Sequence, residues 1–223
     1  MPAAFQLSLL GRASTPSIDS AFSRLVRHDL GAGAWVDRQP GWLRGHAQVF
    51  DFLRERAPWK VTEQTMYDRV VTTPRLVCFD VPAHARHPVF ADIAAVLSRR
   101  YRTQLDQLGL ALYRDGQDSV AFHTDRDGRP RTLSITAIVS VGEPRPFLLR
   151  PRDGGPSRKF TCGWGDLLVM GGTCQRTWEH AIPKVAEAAP RMAIMFRHAV
   201  PVGALVDDAL ASAADPVIDP AVA

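Results

Sequence analysis

The stretch AFHTDRD, residues 121–127, places a histidine and an aspartate two positions apart. On a β-strand alternate residues point to the same face, so His123, Asp125 and Asp127 would share one face. An imidazole nitrogen and a carboxylate oxygen on one face suit a metal ion, and they equally suit a solvated strand edge. A metal site therefore needs support from residues elsewhere in the chain.

A second histidine, His180, lies in RTWEHAI, a later run with the composition of a strand. Two histidines and one carboxylate form the ligand set of non-haem Fe(II) oxygenases, which leaves coordination positions open. The same three ligands could hold zinc with a bound water, as in a hydrolase. Taken alone, His180 is also explained by a structural role in the core or at a sheet edge.

Arg191 and Arg197 lie six positions apart in PRMAIMFRH, so on a strand they share a face with Ala193 and Met195. Six residues of strand span about 20 Å, and two guanidinium groups reaching inward from its ends could bracket a short dicarboxylate. Tyr113, in YRDG, would lie on the strand before the histidine motif. Each residue alone is explained by surface charge or core packing, but together in one β region they favour a catalytic site.

Hydrophobic periodicity indicates the elements that position these residues. Three segments have helical spacing: SIDSAFSRLVRHDLG, with Ser17 as N-cap and Gly31 at its end, GHAQVFDFLRERAPW and HPVFADIAAVLSRRYRTQL. From about residue 105 the period changes to two, in the runs TLSITAIVSV, PFLLR, RKFTC, DLLVMGG, RTWEHAI and RMAIMFRHAV. The segment VTEQTMYDRVVTTPRL indicates a further hairpin. The sequence therefore predicts a mainly β (α+β) fold, a sandwich or barrel with N-terminal helices.

Composition excludes several classes of protein. A chain of 223 residues with 46% hydrophobic residues fits one soluble globular domain, with no apolar run long enough to span a membrane and no basic region of a signal peptide at its start. Three widely spaced cysteines make a disulfide framework improbable and predict a reducing, cytoplasmic location. The stretch from Pro201 onward has four acidic residues and no basic one, so the rest carries 27 basic against 19 acidic residues. That basic body suggests a polyanionic partner.

The region from Leu110 to His198 resembles the AlkB family of Fe(II)- and 2-oxoglutarate-dependent dioxygenases. The match rests on YRDG, the His123-x-Asp125 pair, GDLLVMGG, His180 and the Arg191 to Arg197 spacing, and it extends upstream through MYDRVVTTPRL. The resemblance implies a double-stranded β-helix (jelly-roll) core in residues 46–200. Residues 1–45 would form an N-terminal extension with a short helix, and residues 201–223 an acidic, disordered tail.

The resemblance also implies the roles of individual residues. His123, Asp125 and His180 would hold Fe(II), while Tyr113, Arg191 and Arg197 would hold 2-oxoglutarate. Family members often carry asparagines two positions before the motif tyrosine and two after the first motif arginine, where this chain has Ala111 and Ala193. The cosubstrate would then depend on the tyrosine and the two arginines.

The implied reaction is oxidative dealkylation of N-alkylated bases in DNA, with RNA as an alternative. Molecular oxygen and 2-oxoglutarate would be consumed, and an aldehyde, succinate and CO2 released. A base must leave the duplex to reach such a site, so it needs a stacking wall, for which Tyr67 and Trp178 are candidates. Asp127 could accept a bond from a base amino group, and Arg126 and Arg152 could bind phosphates. Core packing is the other explanation of Trp178, a turn before Gly128 that of Asp127, and a solvated basic loop that of Arg126 and Arg152.

Three alternatives stay open at this stage. An oxygenase of the same fold could act on RNA, protein or lipid. A non-catalytic β-barrel could bind nucleic acid with structural histidines, and a zinc hydrolase would leave the paired arginines without a task. The protein is expected to be a monomer.

Overall fold

A computed structural model describes residues 15–66, 69–125 and 134–198 of the chain. The helices are α1 (His46–Arg56), α2 (Val89–Arg100) and the single turn α3 (Cys174–Thr177). The strands are β1 (Ser17–Ile18), β2 (Val26–Gly31), β3 (Ala34–Gln39), β4 (Leu43–Arg44), β5 (Lys60–Met66), β6 (Arg69–Cys78), β7 (Gln107–Tyr113), β8 (Val120–His123), β9 (Thr136–Gly142), β10 (Arg145–Pro151), β11 (Arg158–Cys162), β12 (Asp166–Gly172), β13 (Trp178–Ile182) and β14 (Arg191–Arg197).

Two antiparallel sheets make up the body of the protein. The larger sheet has eight strands in the order β2-β3-β12-β9-β14-β7-β6-β5, and the smaller has four in the order β11-β10-β13-β8. The inner faces of both sheets share one apolar cluster, in which Phe147, Leu149 and Ile182 of the smaller sheet meet Ile138, Leu168 and Met195 of the larger. Strands β7 and β14 lie inside the larger sheet with partners on both sides. The predicted jelly-roll architecture is confirmed.

The predicted helices α1 and α2 cover the outer face of the larger sheet. Their buried residues, such as Phe50 and Ile93, join a second apolar cluster with Val139 and Ile194 of the central strands. Phe90 of α2 meets Phe196 of β14 edge to face, with ring centres 6.2 Å apart. The period-two reading of β9 and β14 is confirmed, since alternate side chains face the helices and the smaller sheet. No helix in the described ranges is long and apolar enough to cross a membrane.

The helix predicted for residues 17–31 is wrong, because this segment forms β1, a turn and β2. Asp19 accepts hydrogen bonds from the backbone of Ala21 and Ser23 and from the side chains of Ser23 and Gln39, which fixes a turn where a helix would begin. Phe22 adopts a left-handed conformation with φ of 54° and stacks on Trp42. Ile18, Phe22 and Leu25 therefore pack against the core without forming a helix, and Val26 is exposed.

Strands β2 and β3, which precede α1, are part of the larger sheet, while β1 pairs with β4. Strand β3 pairs with β12 from Ala34↔Gly172 to Gln39↔Leu167, and the fully buried Asp37 receives two bonds from Arg27 of β2. The domain boundary at residue 45 stays a prediction, and the acidic stretch 201–223 lies outside the described residues.

Candidate active site

Strands β8 and β13 bring the histidines and aspartate of the predicted triad together. His123 and His180 are register partners across this strand pair, and their ring centres lie 4.2 Å apart. Asp125 follows the end of β8, with its Oδ1 3.9 Å from His180 Nε2. One ligand atom from each of the three residues lies within 4.8 Å of the others. The sequence-predicted metal ligands therefore converge on one point.

Neighbouring side chains hold the carboxylate of Asp125 in place. Arg197 Nη2 donates to Oδ1 at 2.7 Å, and Gln175 Nε2 of α3 donates to Oδ2 at 3.1 Å. The amide oxygen of Gln175 accepts from the Asp125 backbone N–H at 2.9 Å, so this side chain contacts the aspartate twice. Such outer contacts orient a metal ligand before the metal binds.

Both histidines are in the form that binds a metal. Burial lowers the pKa of His123, and it lowers the pKa of His180 to about 4, so both imidazoles are neutral at pH 7. His123 Nδ1 lies 2.8 Å from the carbonyl oxygen of Ala121, which requires the proton on Nδ1 and leaves Nε2 free to ligate. Burial would raise the pKa of Asp125, but His180 and Arg197 outweigh it and hold that pKa below its usual range.

The predicted arginine pair lies on the inner face of β14. Arg191 pairs in register with Tyr113 and Arg197 with Gln107, so the two arginines mark opposite ends of one strand. Arg191, Arg197 and the two residues between them on this face, Ala193 and Met195, all line the cavity that contains the triad. The cavity volume is about 690 Å³. Arg197 lies at the end near the triad, and Arg191 lies at the far end.

Arg191 is a buried cation that no carboxylate pairs with among the described residues. It is 1% exposed, and its described contacts are a bond from Nη2 to Ser140 Oγ at 2.7 Å and the ring of Tyr113 at 5.4 Å. Its Nε and Nη1 are buried without a hydrogen-bond partner in the described part of the chain. Burial and the charge of Arg191 lower the pKa of the adjacent Arg145, which donates to three backbone carbonyls. An unpaired cation at this depth is stabilised by an anionic ligand.

The outer part of the cavity carries aromatic and charged side chains. Phe79, directly after β6, lines the cavity and is 49% exposed. One ring edge lies against Gly109, where a Cβ would be 3.2 Å from Phe79 Cδ1, so the absence of a side chain there lets the ring approach the sheet. Arg152 and Glu179 also line the cavity, and Glu179 is bound by Arg150.

The predicted substrate residues have mixed outcomes. Arg152 lines the cavity, with its Nη1 bonded to the carbonyl of Arg176. Trp178 is 8% exposed within the core between the sheets and does not line the cavity, so its place is in the core rather than on a substrate wall. Tyr67, Arg126 and Asp127 lie outside the described residues, and their roles stay predictions.

Sequence reasoning missed Arg75, Phe79, Ser140 and Gln175. Arg75 and Phe79 could have been found, because the period of two in PRLVCF places them on one face with the buried Val77. Gln175 carried no signal, since it lies in a single helical turn whose contact with residue 125 crosses 50 positions of sequence.

The residues present fit Fe(II) and 2-oxoglutarate. Two neutral imidazoles and one oriented carboxylate match the ligand set of a mononuclear iron site with open positions. The orphaned buried nitrogens of Arg191 match a carboxylate of a dicarboxylic acid, because guanidinium groups bind carboxylates through paired N–H donors. This fold and site define a class of enzyme that oxidises substrates with iron and a 2-oxo acid.

A family comparison agrees with the geometry. The model of the 2OG-Fe(II) oxygenase superfamily matches residues 47–199, which contain the triad and both arginines. The chain belongs to this superfamily.

Individual relatives carry AlkB names. The chain is 28% identical over 186 residues to the bovine (Bos taurus) protein named alpha-ketoglutarate-dependent dioxygenase alkB homolog 3, covering 73% of this chain and 65% of that protein. It is 26% identical over 239 residues to DNA oxidative demethylase ALKBH2 of Arabidopsis thaliana, covering 86% of this chain and 74% of that protein. A solved structure described as "The structure of OsALKBH1" shares the fold, with a TM-score of 0.55 and 15% identity over 78% of this chain and 100% of that chain.

Gln175 supports the metal site through Asp125, so replacing it should weaken metal binding. We expect Gln175→Leu to lower Fe(II) or Mn(II) affinity about ten- to a hundredfold, the usual effect of losing an outer contact. Anaerobic metal titration measures this. Gln104→Leu is the matched control, because its amide binds Asp106, which is not a metal ligand. Equal affinity in the wild type and Gln175→Leu would show that Asp125 is oriented without this amide.

Proposed function

We propose that this protein oxidatively removes alkyl groups from nucleobases in DNA or RNA, using Fe(II), 2-oxoglutarate and molecular oxygen. The observation that carries the proposal is one cavity with the His-Asp-His triad, a buried arginine that no described carboxylate pairs with, and an exposed aromatic ring beside them. The names of the relatives support nucleic acid as the substrate class. So does the net charge of +4.

The chain's own residues bind and orient the reactants. His123, Asp125 and His180 would hold the iron, and Arg191 with Tyr113 would bind the distal carboxylate of the cosubstrate. When bound, Fe(II) and 2-oxoglutarate supply an oxidation by O2 that hydroxylates the alkyl carbon and yields succinate and CO2. The resulting hemiaminal loses its aldehyde, which leaves the original N–H of the base.

The inner half of the cavity keeps water from the reacting groups. Tyr113 and Arg191 are 2% and 1% exposed, and His180 stacks on the buried Phe147 with nearly parallel rings. Arg197 would contribute twice, since it orients Asp125 and lies at the metal end of the cosubstrate. A cosubstrate enclosed in this way would meet the substrate only at the open side of the cavity.

Turnover of defined oligonucleotides tests the function. A panel of methylated and etheno-containing oligonucleotides, as DNA and RNA and as single and double strands, should show base repair with equal amounts of aldehyde and succinate. The comparison of DNA with RNA identifies the preferred polymer. If no modified oligonucleotide is repaired while 2-oxoglutarate is still decarboxylated, the substrate is a protein, a lipid or another molecule, and the nucleic-acid proposal fails.

Phe79 would serve as the stacking surface for the extruded base. Stacking of a base on an aromatic side chain contributes about 1–3 kcal/mol, so Phe79→Ala should weaken oligonucleotide binding by roughly five- to over a hundredfold. Phe79→Trp should retain it, and 2-oxoglutarate affinity should not change. Trp164→Ala is the control, because Trp164 is 55% exposed but does not line the cavity. Equal losses in both alanine variants would assign the effect to general surface contacts.

The oligomeric state and the location of the protein are proposed as well. The triad and both arginines come from a single chain, which supports a monomer as the active form, and light scattering at assay concentrations tests it. All three cysteines are free and buried, which supports a reducing, cytoplasmic compartment. Cell fractionation tests the location.

A further inference from the structure

Tyr113 has a charged neighbour that the assigned cosubstrate residues do not include. Strands β6 and β7 pair through Leu76↔Leu112 and Val77↔Ala111, so Arg75 lies next to Tyr113 across the sheet. Arg75 Nη1 donates to the Tyr113 hydroxyl oxygen at 3.1 Å. Both residues line the cavity. The guanidinium group therefore lies at the cavity wall beside the Tyr113 hydroxyl.

Arg75 is placed for a role in the cavity rather than on the surface. Its Nε is buried and has no hydrogen-bond partner within the described ranges, and no carboxylate pairs with it there. An arginine with only a surface role would not be expected to have a buried Nε without a partner.

The hydrogen bond from Arg75 decides where the hydroxyl proton of Tyr113 points. A guanidinium group only donates, so the phenolic oxygen accepts this bond and must direct its own proton elsewhere. No acceptor for that proton is present among the described side chains and backbone. Arg191 is the register partner of Tyr113 on the other side, so an anion held by Arg191 is the nearest acceptor that the site is built to receive.

The chain also lacks neutral donors where the cosubstrate would lie. Ala111 and Ala193 are register partners on β7 and β14 and form that wall of the cavity with methyl groups alone. Hydrogen bonds to the cosubstrate must therefore come from the residues around this wall. A tyrosine whose proton is directed by a cation is a stronger donor than a freely rotating hydroxyl, because the cation polarises the O–H bond.

We propose that Arg75 is a positioning residue for the cosubstrate, which holds the Tyr113 hydroxyl so that its proton is donated to the distal carboxylate of 2-oxoglutarate. This inference rests on the proposed function only in its assignment of Tyr113 and Arg191 to the cosubstrate. It does not depend on the identity of the oxidised substrate.

A double-mutant cycle tests the proposal by binding rather than turnover. The affinity of 2-oxoglutarate is measured by calorimetry on the Mn(II)-loaded protein without nucleic acid, for wild type, Arg75→Ala, Tyr113→Phe and the double variant. Each single variant should weaken 2-oxoglutarate about three- to tenfold, as expected for one hydrogen bond. The double variant should be no weaker than the weaker single one, because the two residues act through one bond. Mn(II) affinity should stay within about twofold of wild type.

Two further variants separate positioning from a structural role. Arg75→Lys should recover most of the affinity, because a single donor to the tyrosine oxygen suffices. Arg54→Ala is the control arginine, which pairs with Asp51 on α1 away from the cavity and should leave 2-oxoglutarate binding unchanged. A lower melting temperature with unchanged 2-oxoglutarate affinity would reduce Arg75 to a structural residue and overturn the proposal.

Other outcomes would also overturn it and are distinguishable from a failure of the proposed function. Additive losses in the double variant would mean that Arg75 and Tyr113 act independently. Unchanged 2-oxoglutarate affinity in Arg75→Ala, with weaker oligonucleotide binding and a smaller salt dependence, would assign Arg75 to a phosphate. Either result would overturn the role of Arg75 without contradicting the proposed oxygenase reaction. Failure to repair any oligonucleotide would contradict the proposed substrate, but it would not change the double-mutant cycle, which measures 2-oxoglutarate binding without nucleic acid.

Discussion

Replacing His123, Asp125 or His180 with alanine will abolish iron-dependent oxidation while the protein stays folded. Each residue supplies one of three ligand atoms within 4.8 Å of one another, and a two-ligand site binds Fe(II) weakly and in the wrong geometry. Turnover in the presence of Fe(II) should fall to the rate measured without iron. Circular dichroism and thermal melting check the fold, and anaerobic titration with Fe(II) and 2-oxoglutarate checks the visible charge-transfer band.

The control for the triad is His84→Ala, since His84 is an exposed histidine outside the cavity. Asp125→Asn should be tested beside the alanine variant, because Asp125 also accepts a hydrogen bond from Arg197 and the amide oxygen of an asparagine can still accept it. An asparagine keeps the size of the side chain and removes only the charge. Full activity in any one triad variant would remove that residue from the metal site.

Arg191→Ala will raise the 2-oxoglutarate concentration needed for half-saturation about ten- to a hundredfold. Losing a charge-assisted bond to a buried anion costs about 1.5–3 kcal/mol, which corresponds to that range. Fe(II) affinity should change much less, because Arg191 lies at the far end of β14 from Arg197 and the triad. Arg191→Lys should restore only part of the loss, since lysine cannot make the paired contact.

Thermal stability with and without ligand provides a second test of the role of Arg191 in binding 2-oxoglutarate. A buried cation without an anion is costly, so Arg191→Met should leave the ligand-free melting temperature unchanged or higher. Saturating 2-oxoglutarate should stabilise the wild type, by about 2.7 kcal/mol at a hundred times Kd, and should stabilise this variant far less. If 2-oxoglutarate stabilises both proteins equally, the cosubstrate lies elsewhere even with iron at the triad.

Much of this site could be predicted because its residues lie on regular strands. The period of two puts Arg191 and Arg197 on one face whatever the surrounding fold, and the spacing His-x-Asp does the same at the end of β8. Only the approach of His180 to His123 could not be predicted from strand periodicity, because it depends on how the strands pair. The resemblance to a known family predicted it. The helices α1 and α2 could also be predicted, from the helical spacing of their apolar residues.

The failures have a common physical cause. The N-terminal segment has helical spacing, yet the side chain of Asp19 binds local backbone N–H groups and Trp42 provides a partner for Phe22. Trp178 lies two positions from His180, but its side chain enters the core between the sheets. The period of two predicts the face on which Arg75 lies, but its bond to Tyr113 crosses 38 positions of sequence, and the contact of Gln175 with Asp125 crosses 50. Contacts of this range cannot be inferred from local composition.

The two halves of the cavity are built from parts of the fold that differ in how freely they can change. Arg191 and Tyr113 lie on β14 and β7, which are hydrogen-bonded on both sides within the larger sheet. Phe79 and Phe122 line the other half of the cavity. Phe79 follows the last residue of a strand, and Phe122 lies on β8, the outermost strand of the smaller sheet. Strand ends and sheet edges accept substitutions and insertions more readily than central strands do. Substitutions beside the substrate should therefore cost less stability than substitutions beside the cosubstrate.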